Sequence, residues 1–306
     1  MTIAIHVQPC GRALRRSPLL AMLALASAGA LAGTPINERA AADAAGRVEI
    51  SNTAGTVDVT AWARNEVEVT GELGKGTDRL EFTRTGNVTR VKVILPSKSS
   101  RVESSKLVVK VPAGSGLAVN TVSGDIGVRG LRGSQRLQSV SGNIRTEAAA
   151  EDVECKTVSG DVSIAGSGQR ALLTVTTVSG DAAVTKVAGE VNGNTVSGDF
   201  AISMSETSRS RLRSTSGNLG LTGRLATDAR LDIESISGDV RLDLASPVGA
   251  EFDVSSFNGQ IRNCFGPEPV RTSEYAPGRE LRFREGGGTA RVRIKTLNGD
   301  ISVCNK

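Results

Sequence analysis

Nine residues that could carry chemistry recur along this chain at a nearly fixed step. Asp125, Asn143, Asp161, Asp181, Asp199, Asn218, Asp239, Gln260 and Asp300 each follow a glycine, and they advance by 18, 18, 20, 18, 19, 21, 21 and 40 residues. Stacked segments would align these side chains along one edge, about 4.8 Å apart. Such a carboxylate ladder could hold Ca²⁺ through its oxygens, or supply paired carboxylates for glycan cleavage. The competing reading is turn chemistry: Asp and Asn bond nearby backbone at turns, and the remaining charge is solvated. The Asn and Gln members lower the repulsion along the column and also remove ligand charge. The Ca²⁺-binding nonapeptide G-G-x-G-x-D of other solenoids is absent.

Other chemistry is largely excluded. The only histidine is His6, so a chain lacking its first residues has no imidazole for Ser-His-Asp, Cys-His or His-metal schemes. There is no phosphate-binding loop and no dinucleotide fingerprint. Arg293-Ile294-Lys295 matches a triad of some β-helical pectinases, but without a histidine the match is coincidence. Trp62 and Tyr275 could each stack on a sugar, as single aromatics. A second column, two residues before each Ser of the repeat, is all hydroxyl: Thr121, Ser139, Thr157, Thr177, Thr195, Ser214, Ser235, Ser256 and Thr296. It reads as a solvent-facing ladder of β-formers, or as a flat face for polysaccharide. No cofactor is expected.

The elements that must position these columns are legible from the repeat itself: TVSGDI, SVSGNI, TVSGDV, TVSGDA, TVSGDF, STSGNL, SISGDV, SFNGQI and TLNGDI. Taking the Ser as position zero, apolar residues sit at −4 (Val119, Leu137, Val175, Leu212, Ile233) and at +3 (Ile126, Ile144, Val162, Phe200, Val240). They alternate with polar neighbours, which is the strand pattern. A repeat of 18–21 residues has no room for a helix beside two strands. The expected fold is therefore all-β: a single-stranded parallel β-helix (β-solenoid) of about 18–21 residues per coil, right-handed by the usual crossover rule. The invariant Gly at +1 is expected to supply a positive φ at a tight turn.

Boundaries follow from composition. Arg12, Arg15 and Arg16 precede the apolar run 19–32, so residues 1–32 read as a cleaved signal peptide. Its apolar stretch is too short to span a bilayer comfortably. Removing three arginines leaves 34 basic against 32 acidic residues, a net charge of +2. Neither this balance nor 3% aromatics favours nucleic-acid binding. Residues 33–116 read as irregular N-terminal β coils or a cap. Residues 117–306 read as the regular array, with a Pro- and charge-rich loop at 265–288. Cys155 falls in the −4 core column. Cys264 and Cys304 occupy equivalent positions after two NG turns, so we expect them to form a disulfide if 265–288 is an excursion; on the chain-entropy model it adds roughly 4 kcal/mol.

The run KVPAG-x-G-L-x-V-x-TVSGDI, followed by serial SVSGNI and TVSGDV units, resembles the DUF4097 family of exported bacterial β-strand-repeat proteins. It is also similar to the related head-GIN-type adhesin domains. The resemblance covers about residues 46–306. It implies a parallel β-helix at the periplasm or outer cell surface and carries over no catalytic residues. Two function classes follow, with a third beside them. The first is a non-enzymatic exported envelope protein, a rigid interaction scaffold that is adhesin-like or glycan-contacting. The second is a carbohydrate-active β-helix using the Asp ladder. The third is a periplasmic accessory or sensor protein acting through an envelope partner. The partners implied are a cell-surface glycan or an envelope protein, with no nucleic acid and no transmembrane segment after signal cleavage.

Overall fold

Alternating Val, Ile and Leu make every regular element of the described residues a β-strand. The computed structural model describes residues 33–97 and 102–305; the expected signal peptide lies outside them. In chain order the strands are β1 (Thr34–Ala41), β2 (Arg47–Trp62), β3 (Glu66–Leu73), β4 (Arg79–Thr85), β5 (Val88–Ile94), β6 (Ser105–Pro112), β7 (Gly116–Arg129) and β8 (Gln135–Gln138). They continue as β9 (Ile144–Ala148), β10 (Val153–Lys156), β11 (Val162–Gly166), β12 (Arg170–Thr176), β13 (Ala182–Thr195), β14 (Phe200–Ser214), β15 (Leu219–Gly223) and β16 (Leu225–Ser237). The last are β17 (Val240–Leu244), β18 (Ala250–Asn258), β19 (Ile261–Asn263), β20 (Val270–Arg271), β21 (Arg279–Glu285), β22 (Ala290–Asn298) and β23 (Ile301–Asn305).

Each repeat forms one coil with two arms, and equivalent arms pair in parallel and in register. Val119 faces Leu137, which faces Cys155, which faces Val175, along the first arm. Ile126, Ile144, Val162, Ala182, Phe200 and Leu219 do the same along the second. The −4 and +3 side chains are almost wholly buried in one continuous core. The parallel β-solenoid is thus the fold that the alternation anticipated.

The S-G-D/N segment is the corner between the arms, and here the structure gives a different reason for the glycine. Of the nine corner glycines only Gly238 and Gly299, at φ 158° and 159°, have positive φ, both close to extended backbone; Gly55, which pairs with Gly124, lies at 114°. The constraint is close approach instead. A methyl on Gly142 would fall on the carbonyl of Gly124, and one on Gly160 on that of Gly142. The series continues through Gly180, Gly198 and Gly217, so each coil's corner backbone occupies the space of the next coil's missing side chain.

The two ends depart from sequence order in the same way. At the N-terminal end, β2 is sandwiched between β7 on one side and β5 and β6 on the other. At the C-terminal end, β22 and β23 insert between β16 and β17 on one side and β18 and β19 on the other. The chain therefore overshoots by one coil at each end and folds back inside it. Residues 265–288, expected as a loop, contribute β20 and β21, and β21 runs antiparallel along β18. Phe252, Phe265 and Phe283 pack together there, with Phe252 and Phe283 stacked at 4.5 Å. At the opposite end β3 covers β6, β1 covers β3 and β4 covers β5, all antiparallel. Antiparallel cover of this kind occupies the ladder edges that a bare parallel coil would expose.

Candidate functional site

The corner fixes where the repeat's polar residues point. The Asp/Asn column is exposed apart from the half-buried Asn143, and one oxygen of each side chain is already committed. Asp125 Oδ1 accepts the backbone N–H of Asn143 at 2.8 Å, and Asn143 Oδ1 accepts that of Asp161 at 2.9 Å. The same bond links Asp161 to Asp181, Asp181 to Asp199, Asp199 to Asn218 and Asn218 to Asp239, at 2.8–3.0 Å. It then passes from Asp239 to Asp300 and from Asp300 to Gln260, both at 2.8 Å, following the inserted coil rather than the sequence. Asp and Asn interchange because both present an Oδ1 acceptor at the same distance from the backbone. Gln260 lies on the outermost of these coils, which has no further corner to bond. Among the described residues no three His, Cys, Asp or Glu converge as a metal-binding group.

The hydroxyl column is not on a solvent face. Thr121, Ser139, Thr157, Thr177, Thr195, Ser214, Ser235, Ser256 and Thr296 are all buried, at 1–7% exposure. Each points into the corner because −2 shares its phase with the buried −4 position. Ser139 Oγ accepts the N–H of Gly142 at 2.8 Å, and Thr157, Thr177, Thr195 and Ser214 accept from their own glycines at 2.7–3.0 Å. These hydroxyls take up a donor that the corner would otherwise bury unpaired. At Gly238 and Gly299 the N–H bonds instead to the carbonyl of Asn298 and Asn258, and the hydroxyls of Ser235 and Thr296 have no partner among the described residues.

The cysteines behave as their columns require. Cys264 and Cys304 form a disulfide across adjacent coils, with Cα atoms 4.7 Å apart. Cys155 is buried in the core, and desolvation, helped by nearby Glu154, pushes its thiol up to about 12. Ile294 of Arg293-Ile294-Lys295 is a core residue. Trp62 lies beside Arg64 and Lys110, 5.2 and 5.4 Å from its ring centroid, and its Nε1 donates to the Glu66 carbonyl. Tyr275 is 93% exposed.

What sequence reasoning missed is the −1 column. Val122, Val140, Val158, Val178, Val196, Ile236, Leu297 and Phe257 are 39–55% exposed, with Thr215 completing the series. The register Ser235–Thr296 and Ser256–Thr296 sets Ile236, Leu297 and Phe257 on successive coils. Except at Thr215, they set one large apolar side chain on each coil along the outside of the corner, next to the residue at zero and the polar residue at +2. The signal was available: in T-V-S-G-D the hydroxyl occupies the inward phase of the alternation and the valine the outward one, the reverse of what burial alone selects.

With the corner in place, the family follows. The sequence pattern of Toastrack DUF4097 matches residues 35–304. The chain belongs to that family. No curated protein matches this Toastrack chain. Among solved structures, it is similar to a candidate lipid-binding protein from Parabacteroides distasonis ATCC 8503, at 14% identity and a TM-score of 0.51, covering 89% of this chain and 97% of that one. It is also similar to a candidate adhesin from Bacteroides fragilis NCTC 9343, at 10% identity and a TM-score of 0.44, covering 89% and 97%. At 14% identity the likeness to the first of these concerns the fold of the Toastrack chain alone. No helix among the described residues is long and apolar enough to cross a membrane.

Proposed function

We propose that this Toastrack protein is a non-enzymatic, exported cell-envelope scaffold whose rigid solenoid presents an adhesin-like, glycan-contacting surface. The observation that carries the reading is the exposed −1 column, an apolar side chain on each of five successive coils from Val122 to Val196 and on three more beyond Thr215, at Ile236, Leu297 and Phe257. Contiguous exposed apolar surface of this kind marks interaction sites in soluble proteins. The neighbouring Ser and Asp/Asn columns add hydrogen-bonding groups along the same edge. The Cys264–Cys304 disulfide fits an oxidising compartment, and residues 1–32 have the composition of an export signal. In the Asp column each inter-coil Oδ1 holds a backbone N–H, which supports a structural use of these carboxylates.

The test is retention of beads coated with the protein on isolated envelope polysaccharide, with reducing ends assayed in parallel. Saturable retention without release of reducing ends is expected. Val158→Thr/Val178→Thr/Val196→Thr should weaken retention while leaving the fold intact, because Thr215 already occupies this column. Turnover of the polysaccharide, or retention indifferent to the triple variant, would refute the proposal.

A further inference from the structure

We infer that the outer face of the first arm, over the three coils of β14, β16 and β22, is the binding site for an acidic polysaccharide. The inference rests on the glycan-contacting reading above. The register places Arg209 beside Arg230 and Arg230 beside Arg291, three guanidinium groups in one column. The two neighbouring columns on the same coils are built differently. One reads Arg211, Asp232, Arg293 and the other Arg213, Glu234, Lys295, each with an acid between two cations. Arg213 reaches Glu234 at 3.1 Å and Arg211 reaches Asp232 at 3.8 Å.

The arginine column has no such acid. Glu190 lies 3.8 Å from Arg209 on the preceding coil, and Glu251 beyond Arg291 is engaged by Arg284 at 3.6 Å. Among the described residues neither Arg230 nor Arg291 has an acidic partner within 4.0 Å. Over these three coils the nine positions hold seven cations and two acids, with Asp228 at the margin. Like charges directly opposite across a ladder are destabilising, so the column gains nothing structurally from its composition. It lines an open groove of about 670 Å³.

The ligand class follows from the shape and surroundings. The charges run in line with the solenoid axis at the coil spacing, which suits a linear polyanion bearing one acidic group per unit. Towards β12 and β13 the alternating columns continue as Thr174 and Asn192, and as Thr176 and Asn194. These are neutral donors and acceptors matched to sugar hydroxyls. Among the described residues the groove is lined by no aromatic side chain on which a nucleobase could stack.

The experiment measures binding of the whole described chain to polygalacturonate and to dextran sulfate, with neutral dextran, phosphatidylglycerol vesicles and single-stranded DNA alongside, across a salt series. Both acidic glycans should bind, and Arg230→Gln/Arg291→Gln should weaken them about tenfold, as expected for exposed charge-assisted contacts. The slope of log affinity against log salt should shrink by about the share of two released counterions. The variant's melting temperature should equal or exceed the parent's, since a like-charge pair is removed. Vesicles or DNA bound more tightly than the acidic glycans, or glycan affinity unchanged in the variant, would overturn the assignment. Binding of neutral dextran with no effect of the variant would overturn it while sparing the scaffold reading. No binding of either acidic glycan would overturn the arginine-column assignment, while the scaffold reading stands or falls by retention on envelope polysaccharide.

Discussion

Replacing Gly180 with alanine tests the corner stack, because the obstruction is backbone and not a movable side chain. A methyl there would land on the carbonyl of Gly160. To relieve it the two coils must part at the corner. Three bonds cross that joint: Ser179 N–H to Val158 O at 2.8 Å, Val162 N–H to Asp181 O at 2.8 Å, and Asp181 N–H to Asp161 Oδ1 at 3.0 Å. At about 1 kcal/mol each they are worth about 3 kcal/mol, and overpacking adds about 1–3 kcal/mol. The total of about 4–6 kcal/mol is a large part of an ordinary domain's stability of about 5–15 kcal/mol. For a chain of this size it corresponds to a fall of roughly 10 °C or more in Tm. Gly220→Ala is the control, since its methyl would meet only the Phe200 carbonyl at 3.8 Å. It should change stability by no more than about 1 kcal/mol. Thermal and urea melts followed by far-ultraviolet circular dichroism read both variants. A loss at Gly180 no larger than at Gly220 would refute the close-approach argument.

Three further outcomes follow. Asp181→Asn should leave stability within about 0.5 kcal/mol, as at an ordinary surface position, whereas Asp181→Ala should cost about 1 kcal/mol by freeing the Asp199 N–H it now accepts; equal melts for the two variants would contradict the ladder. Reducing Cys264–Cys304 should cost roughly 4 kcal/mol on the chain-entropy model and expose β19 and β23 first to hydrogen exchange, so a reduced protein with unchanged exchange there would count against a clamp at this end. Lys110, and then Arg39, hold the carboxyl of buried Glu68 below its ordinary pKa, as Lys156 and then Arg136 do for Glu154. A carboxylate lowered in the folded state stabilises above its unfolded value, and that contribution fades as pH falls through the folded one. Exchange protection of β3 and β6 should thus decline below about pH 4.5, and Glu68→Gln should flatten that decline.

The sequence revealed the architecture because each repeat alternates inward apolar and outward polar residues with a fixed glycine. It also located the disulfide, since Cys264 and Cys304 are equivalent repeat positions. Coil order at the ends was not legible. The 40-residue step from Gln260 to Asp300 shows an excursion, but every coil carries the same interface pattern, so periodicity does not say which neighbour a coil takes. The glycine's role was misread for a related reason: one repeat read alone suggests a turn, and only stacking reveals the carbonyl in its side-chain space. The −2 hydroxyls were assigned to solvent by polarity, although their phase matched the core and the corner glycine N–H needed them. The exposed −1 column and the Arg209–Arg230–Arg291 column both depend on cross-coil neighbours. The second requires Arg291 to follow Arg230 in space, which sequence order conceals.

Cross-linking between corner positions tests the stacked solenoid and its inserted final coil most directly. Ser237 pairs with Asn298, and Asn298 pairs with Asn258. Ser237→Cys with Asn298→Cys places two thiols on adjacent coils, about 4.8 Å apart along the ladder and within disulfide range. Ser237→Cys with Asn258→Cys places them two coils apart, about 9.6 Å, which is beyond it. After mild oxidation, peptide mapping by mass spectrometry should find the 237–298 link in the first variant and no 237–258 link in the second. A 237–258 link without a 237–298 link would mean that the coils stack in sequence order, and would contradict the account.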